Sequence, residues 1–290
     1  MNFTFNRYKI VLFTLLFSVI ISLTSFNFSE RKSLPNSHEL VKDILASIAN
    51  IKTMRYHLQC GERIRGKMHH TQSRVKLQVN PRKLYLALNG PELLWIKGEN
   101  NGNALVNPGS FPYINLNLDP YGLLMRKDQH HTIYEMGIQY MGDILRDGLQ
   151  KAGNNVEKHF VIQGEEMYNG RACYRLSIAF PDFLWESYTV KKMETITSIS
   201  RRLHVSEYMV LEKNTSANWY NDIKEGENIF VPNVYSKLTM LLIEKETFLP
   251  LSNKIFDDQG LFEIYEYVNL QVNIPIAPEE FTKEYKDYNF

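Results

Sequence analysis

His130, His131 and Glu135 are the residues whose types and spacing come nearest to a metal site, because side chains four apart meet on one face of a helix. Neighbouring histidines project in different directions, however, and no metalloprotease spacing accompanies them, so they read as solvated surface residues. The adjacent acids Glu165-Glu166 and Glu279-Glu280 offer carboxylates on surface turns. A glycosidase would need two opposed carboxylates bracketing a sugar, which such pairs do not supply. There is no glycine-rich phosphate loop, serine nucleophile motif or paired-cysteine metal spacing. No catalytic residue, metal or cofactor is therefore expected.

Two cysteines, Cys60 and Cys173, are compatible with one disulfide in an oxidising compartment. Strand alternation leans against it. Cys60 shares a face with Met54, Tyr56 and Leu58, whereas Cys173 lies between Ala172 and Tyr174 and near Arg171 and Arg175.

The N-terminus carries Arg7 and Lys9 before an uncharged run from Ile10 to Leu23. That run is short for a bilayer span and suits the apolar region of an export signal, so residues 1–28 read as a signal peptide or an uncleaved anchor. No cysteine follows to carry a lipid. Without Arg7 and Lys9 the chain holds 31 basic residues against 32 acidic ones, a balance that gives no reason to expect nucleic acid.

A polar linker leads into an amphipathic helix from Ser37 to Ile48, with Leu40, Ile44, Leu45 and Ile48 on one face. Extended segments follow at Met54–Ile64, Ser73–Val79, Lys83–Leu88 and Leu93–Lys97, separated by turns such as Asn89-Gly90. Asn103 to Val106 extends this ladder. A loop from Pro108 to Pro120 carries Phe111 and Tyr113, and an irregular helical region spans Tyr121 to Ala152. Strands resume at His159–Gln163 and Gly170–Phe180, and again at Ser236–Lys245, Leu251–Phe256 and Leu261–Leu270.

Between these strands, residues 188–232 have a different grammar. Tyr188, Thr189 and Val190 are strand formers, and Ile196, Ile199, Ser200 and Leu203 recur at helical steps. Ser206 is a candidate N-cap for a second helix through Tyr208, Met209 and Leu211. After Asn214 come turn formers, Ile223, Glu225-Gly226 and a closing strand stopped by Pro232. This βααβ unit resembles the LysM domain through Tyr188, Val190, Glu194, Thr195, Ile199, Ser200, Val205, Ser206, Met209 or Val210, Asn214, Ile223, Gly226, Ile229, Val231 and Pro232. Met193 stands where that family has glycine, at a strain of roughly 1 kcal/mol if φ is positive.

The resemblance implies binding of N-acetylglucosamine-containing glycan, such as peptidoglycan, between two walls. Met193, Glu194, Thr195 and Ile196 form one, and Asn218, Trp219, Tyr220 and Asp222 the other. Trp219 and Tyr220 either face sugar or complete a small core. LysM modules are often attached to wall hydrolases, which keeps a hydrolase or its accessory as one alternative. A structural or protein-interaction role for the module is another.

One helix, a meander of long antiparallel strands, a middle helical region and the ending Pro278-Glu279-Glu280-Phe281 with Tyr285 resemble the periplasmic lipoprotein-carrier fold. More narrowly, the chain resembles the bacterial envelope family called domain of unknown function 1571, over residues 37–187 and 233–288. The resemblance implies an α+β fold in which a curved antiparallel sheet, an incomplete barrel, wraps helices and carries the module as an insertion. It also implies an apolar concavity for a lipid, a lipoprotein or another envelope protein in the periplasm. Tyr56, Leu84, Leu86, Leu88, Leu94, Trp95, Ile96, Met240, Leu242 and Phe262 are its candidate lining. The same residues are what any packed sheet core needs, and that reading is the favoured one, since sequence supplies volumes and not emptiness.

Overall fold

The computed structural model describes residues 34–290. The expected signal or anchor over residues 1–28 lies outside them, and no described helix is long and apolar enough to cross a membrane. Helix α1 (Ser37–Ala49) begins where sequence periodicity places it. The Asn36 side chain accepts from the His38 and Glu39 amides, which otherwise lack intrahelical partners, and Leu40, Val41, Ile44 and Ile48 are buried.

An 11-stranded antiparallel sheet follows. Strands β1 (Thr53–Ile64), β2 (Lys67–Gln78), β3 (Lys83–Ala87), β4 (Glu92–Ile96), β5 (Ala104–Asn107) and β6 (Leu116–Leu118) form a meander. The chain then makes α2 (Leu123–Arg126), α3 (Gln139–Ala152) and α4 (Val156–His159). It returns through β7 (Phe160–Tyr168) and β8 (Arg171–Ala179), leaves for β9 (Trp185–Thr189), α5 (Ile196–Leu203), α6 (Glu207–Lys213) and β10 (Asn228–Pro232), and ends in β11 (Leu238–Glu244), β12 (Pro250–Asp257) and β13 (Gly260–Val272). The sheet order is β6-β5-β4-β3-β2-β1-β13-β12-β11-β8-β7, so β1 pairs with β13 while β6 and β7 remain edges of an open, curved sheet. Helices α1 and α3 pack on one face, where Ile44, Ile48 and Leu145 meet Met54, Leu77, Leu176 and Leu241 in the main core. On the other face a C-terminal 3-10 turn buries Phe281 against Tyr85, Ala87 and Leu94.

Strands β9 and β10 pair only with each other and, with α5 and α6, enclose a separate core of Val190, Ile196, Ile199, Val205, Val210 and Ile229. Thr195 caps α5 by accepting from the Ser198 amide, and Ser206 caps α6 by accepting from the Met209 amide. Residues 188–232 are thus a βααβ unit with its own hydrophobic centre, and its first strand begins three residues earlier than sequence alone suggests.

Cys60 and Cys173 are both free. They lie on β1 and β8, which β13, β12 and β11 separate within the sheet, so strand order keeps the thiols apart.

Candidate functional site

Alternation along the central strands sends one side-chain set inward. Strand β1 contributes Tyr56, Leu58, Cys60 and Glu62, β13 contributes Glu263, Tyr265 and Tyr267, and β12 contributes Asn253 and Ile255. Leu86, Leu93 and Val106 continue this wall, and Met125, Ile133, Met136, Tyr140 and Ile144 cover it. The cover contains only the four-residue α2, a 3-10 turn at Ile133–Glu135 and one end of α3, too little bulk to fill the space under a wide sheet. A cavity of about 450 Å³ remains, within the range of small-molecule sites. Leu88, Pro108 and Leu124 mark its apolar rim, beside a loop that exposes Phe111, Tyr113 and Ile114.

Of the expected lining, Tyr56, Leu86 and Leu88 border this space. Leu84 and Trp95 are buried in the main core instead, and Leu242 packs beside it. Leu94 points the opposite way, against Phe281, because its neighbour Leu93 takes the inward position. Ile96 and Met240 are half-buried away from the cavity, and Phe262 packs on Tyr208 and Met209 of α6. The inward residues Leu58 and Cys60 were recoverable from the shared face of Tyr56, Leu58 and Cys60. Nothing local marked Glu62 or Glu263.

One end of the cavity is polar. Glu263 is fully buried and lies 2.8 Å from His130 Nδ1, 3.4 Å from His131 Nε2 and 3.3 Å from the Tyr235 hydroxyl, which donates to it. His130 Nε2 is 2.9 Å from the Arg63 carbonyl, and the ring packs against both Tyr208 and Phe262 at centroid distances of 4.4 and 4.2 Å. Glu62 accepts from the Tyr265 hydroxyl at 2.6 Å and from the His130 amide at 3.0 Å. The solvated reading of the histidines is corrected here: His130 is 2% exposed. Glu135, the third member, instead accepts from the Thr132 amide and hydroxyl and pairs with Arg201. Among the described residues no cluster has the makings of a metal site.

Burial works against both charges of the Glu263–His131 pair, yet their mutual attraction and hydrogen bond prevail. Glu263 is held at about 2 and His131 is raised to about 9. A carboxylate with a depressed pKa contributes stability that is complete above about 4.3 and lost as pH falls toward 2. A histidine with a raised pKa contributes stability that is complete below about 6.5 and lost as pH rises through 9. Thermal melts are expected to show a plateau between these limits and an alkaline decline from pH 6.5 to 9 that Glu263→Gln removes. An unchanged alkaline limb in Glu263→Gln would contradict the pairing.

The βααβ unit grips the cover. Arg126, 3% exposed at the end of α2, reaches Glu207 Oε2 at 2.6 Å and Thr197 Oγ1 at 3.0 Å. Its guanidinium lies 3.3 Å from the Tyr220 ring centroid, a cation–π contact. Arg201 of α5 binds Glu207 at 2.8 Å, Glu135 at 2.5 Å and the Tyr121 hydroxyl. Glu207 therefore joins two arginines, one from each side of the junction.

This docking decides where the expected glycan residues sit. Ile196 is fully buried and its amide donates to the Tyr220 carbonyl at 2.8 Å, so the two presumed walls are bonded together at that point. Tyr220 is buried beneath Arg126. Glu194 is occupied by Tyr188, Arg202 and the Lys191 amide, and Thr195 by its cap. Asn218 and Asp222 are exposed, the Asn218 amide donating to Asp222, and Trp219 is half-buried against the module core. Met193 is 91% exposed at φ 62°, the left-handed conformation that its glycine position demands. Met193→Gly is expected to raise stability by up to about 1 kcal/mol, measurable as a higher urea midpoint.

A profile of the family described as "Protein of unknown function (DUF1571)" matches residues 51–208, running through the first half of the module and ending inside α6. No LysM match accompanies it. No curated protein matches the chain. Similar crystal structures include a DUF1329 family protein from Desulfovibrio piger, at 10% identity over 86% of this chain and 98% of that one with a TM-score of 0.34. The Mycobacterium tuberculosis lipoprotein LppX is 11% identical over 84% of this chain and 99% of that one, with a TM-score of 0.41. A Pseudomonas aeruginosa MucA/MucB complex is 9% identical over 86% of this chain and 61% of that one, with a TM-score of 0.37.

Proposed function

The chain belongs to the DUF1571 family, and we propose that it is a non-enzymatic, exported cell-envelope protein that carries an amphiphile, a lipid or the acyl chain of a lipoprotein, in the cavity of its curved sheet. The supporting observation is the cavity itself, about 450 Å³ between a mainly apolar sheet and an irregular cover, with a polar end. Export is supported by the signal-like run after Arg7 and Lys9. The βααβ unit serves as a structural element that fixes the cover, because Arg126, Glu207 and Arg201 tie the two together. Lipid extraction and mass spectrometry of purified protein are expected to find an acyl-chain compound, or the emptied protein to take up a chain-bearing fluorescent probe. A folded protein that yields no lipid and takes up no probe would overturn this assignment.

A second reading, peptidoglycan docking through the module, is supported by the resemblance and by the exposure of Met193, Asn218 and Asp222 beside the half-buried Trp219. It predicts that the protein sediments with isolated cell wall and that Trp219→Ala releases it. Absence of sedimentation by the folded wild type leaves the module with only its bracing role.

A further inference from the structure

We infer that the carried amphiphile has a head group that donates hydrogen bonds and bears no negative charge, a long-chain amine being its simplest form, seated between Glu62 and Asn253. This inference rests on the carrier reading. The polar end of the cavity contains two carboxylates in different circumstances. Glu263 is flanked by both histidines, so its charge is answered within the protein. Glu62 is buried, lines the cavity and receives neutral donors alone, the Tyr265 hydroxyl and the His130 amide, with the Cys60 thiol also on it. Among the described residues no cationic side chain lies within salt-bridge distance of it.

A carboxylate offers about four acceptor sites, so at least one at Glu62 remains open toward a donor. A buried carboxylate whose nearest countercharge, His131, is bonded to another acid is unfavourably placed, and a ligand cation in direct contact relieves it.

Asn253 is an independent sign of a ligand. It is 5% exposed, lines the same cavity and has an amide oxygen with no donor among the described residues. In the sheet register it lies directly opposite Tyr265, the residue whose hydroxyl holds Glu62. Its oxygen calls for an N–H or O–H from the occupant. Tyr140, Tyr235, Tyr265 and Tyr267 line the same region, and aromatic faces suit an ammonium group. His131 is the nearby cation, and its Nε2 is committed to Glu263 and the Tyr235 hydroxyl. A fatty-acid carboxylate placed here would face both glutamates, a like-charge meeting that selects against it.

The purified full-length chain, loaded with the neutral dye Nile red, discriminates among head groups when titrated at pH 7 with dodecylamine, dodecanol and dodecanoate below their micellar concentrations. Dodecylamine is expected to displace dye at roughly tenfold lower concentration than dodecanoate, with dodecanol between them. Glu62→Gln is expected to erase the advantage of the amine over the alcohol. Asn253→Leu, which leaves Glu62 intact, is expected to weaken amine and alcohol together, with circular dichroism confirming the fold of each variant. Dodecanoate equal to or better than the amine, or an amine advantage that survives Glu62→Gln, would overturn the assignment of the head group. Failure of the wild type to take up dye overturns the carrier reading and this inference with it.

Discussion

Replacing Arg126 with alanine is expected to destabilise the protein by about 3–5 kcal/mol, the cost typical of removing one partner from a buried ion pair. Glu207 would then keep Arg201 but lose its closest contact, Thr197 would lose a donor, and the Tyr220 ring would lose its cover. Arg126→Met, which retains some of the packing, is expected to recover only part of the loss. Urea denaturation of wild type, Arg126→Ala, Glu207→Gln and the double variant forms a cycle in which the two single losses are expected to add to more than the loss in the double variant. A loss below about 1 kcal/mol for Arg126→Ala would assign it the energetics of a surface pair and deny the module its bracing role. The same variant is expected to release bound lipid, because α2 and the turn at Ile133–Glu135 form part of the cover.

Leu58→Trp tests the cavity from its opposite wall. Leu58 is buried on β1 with its side chain on the cavity, so an indole there takes space from the ligand before it strains the core. Probe affinity is expected to fall roughly tenfold or more, about 1.4 kcal/mol, while the thermal midpoint stays close to wild type. Leu58→Ala is expected to do the reverse, retaining uptake and losing about 2–3 kcal/mol of stability through the removed methyl groups. Unaltered uptake by a folded Leu58→Trp protein would place the ligand elsewhere.

The sequence made local periodicities visible and left long-range partners hidden. Helix α1 and the two helices of the βααβ unit were legible because their apolar spacing and caps, Thr195 and Ser206, are local signals. The inward face of β1 was legible for the same reason. Leu94 fails by a single residue: alternation on a short strand is readable, but which phase faces the helices depends on what covers each side, here Phe281 from nearly 200 residues away. His130 and His131 were read as though on a helix, whereas they lie in irregular chain before the Thr132 cap. Their partner Glu263 comes from the far end of the sequence, brought alongside by pairing of β1 with β13. The seam between module and cover was equally illegible, since Arg126 and Glu207 look like ordinary helix-end charges until the chain folds.

The module departs from the sheet after β8 and returns at β11, yet those strands are paired neighbours, with Leu238 opposite Ala179 and the Phe180 amide bonded to the Lys237 carbonyl. Its two attachment points are consequently pinned at one place, like the ends of a hinge pin. The sheet can zip from β8 to β11 before the excursion between them has found its shape, and the extra chain adds little to closure entropy. The clasp formed by Arg126, Glu207 and Arg201 is then a second, separate attachment, joining the excursion to the cover at a distance from its pinned ends. Loosening that clasp would therefore free the cover without unpairing β8 from β11.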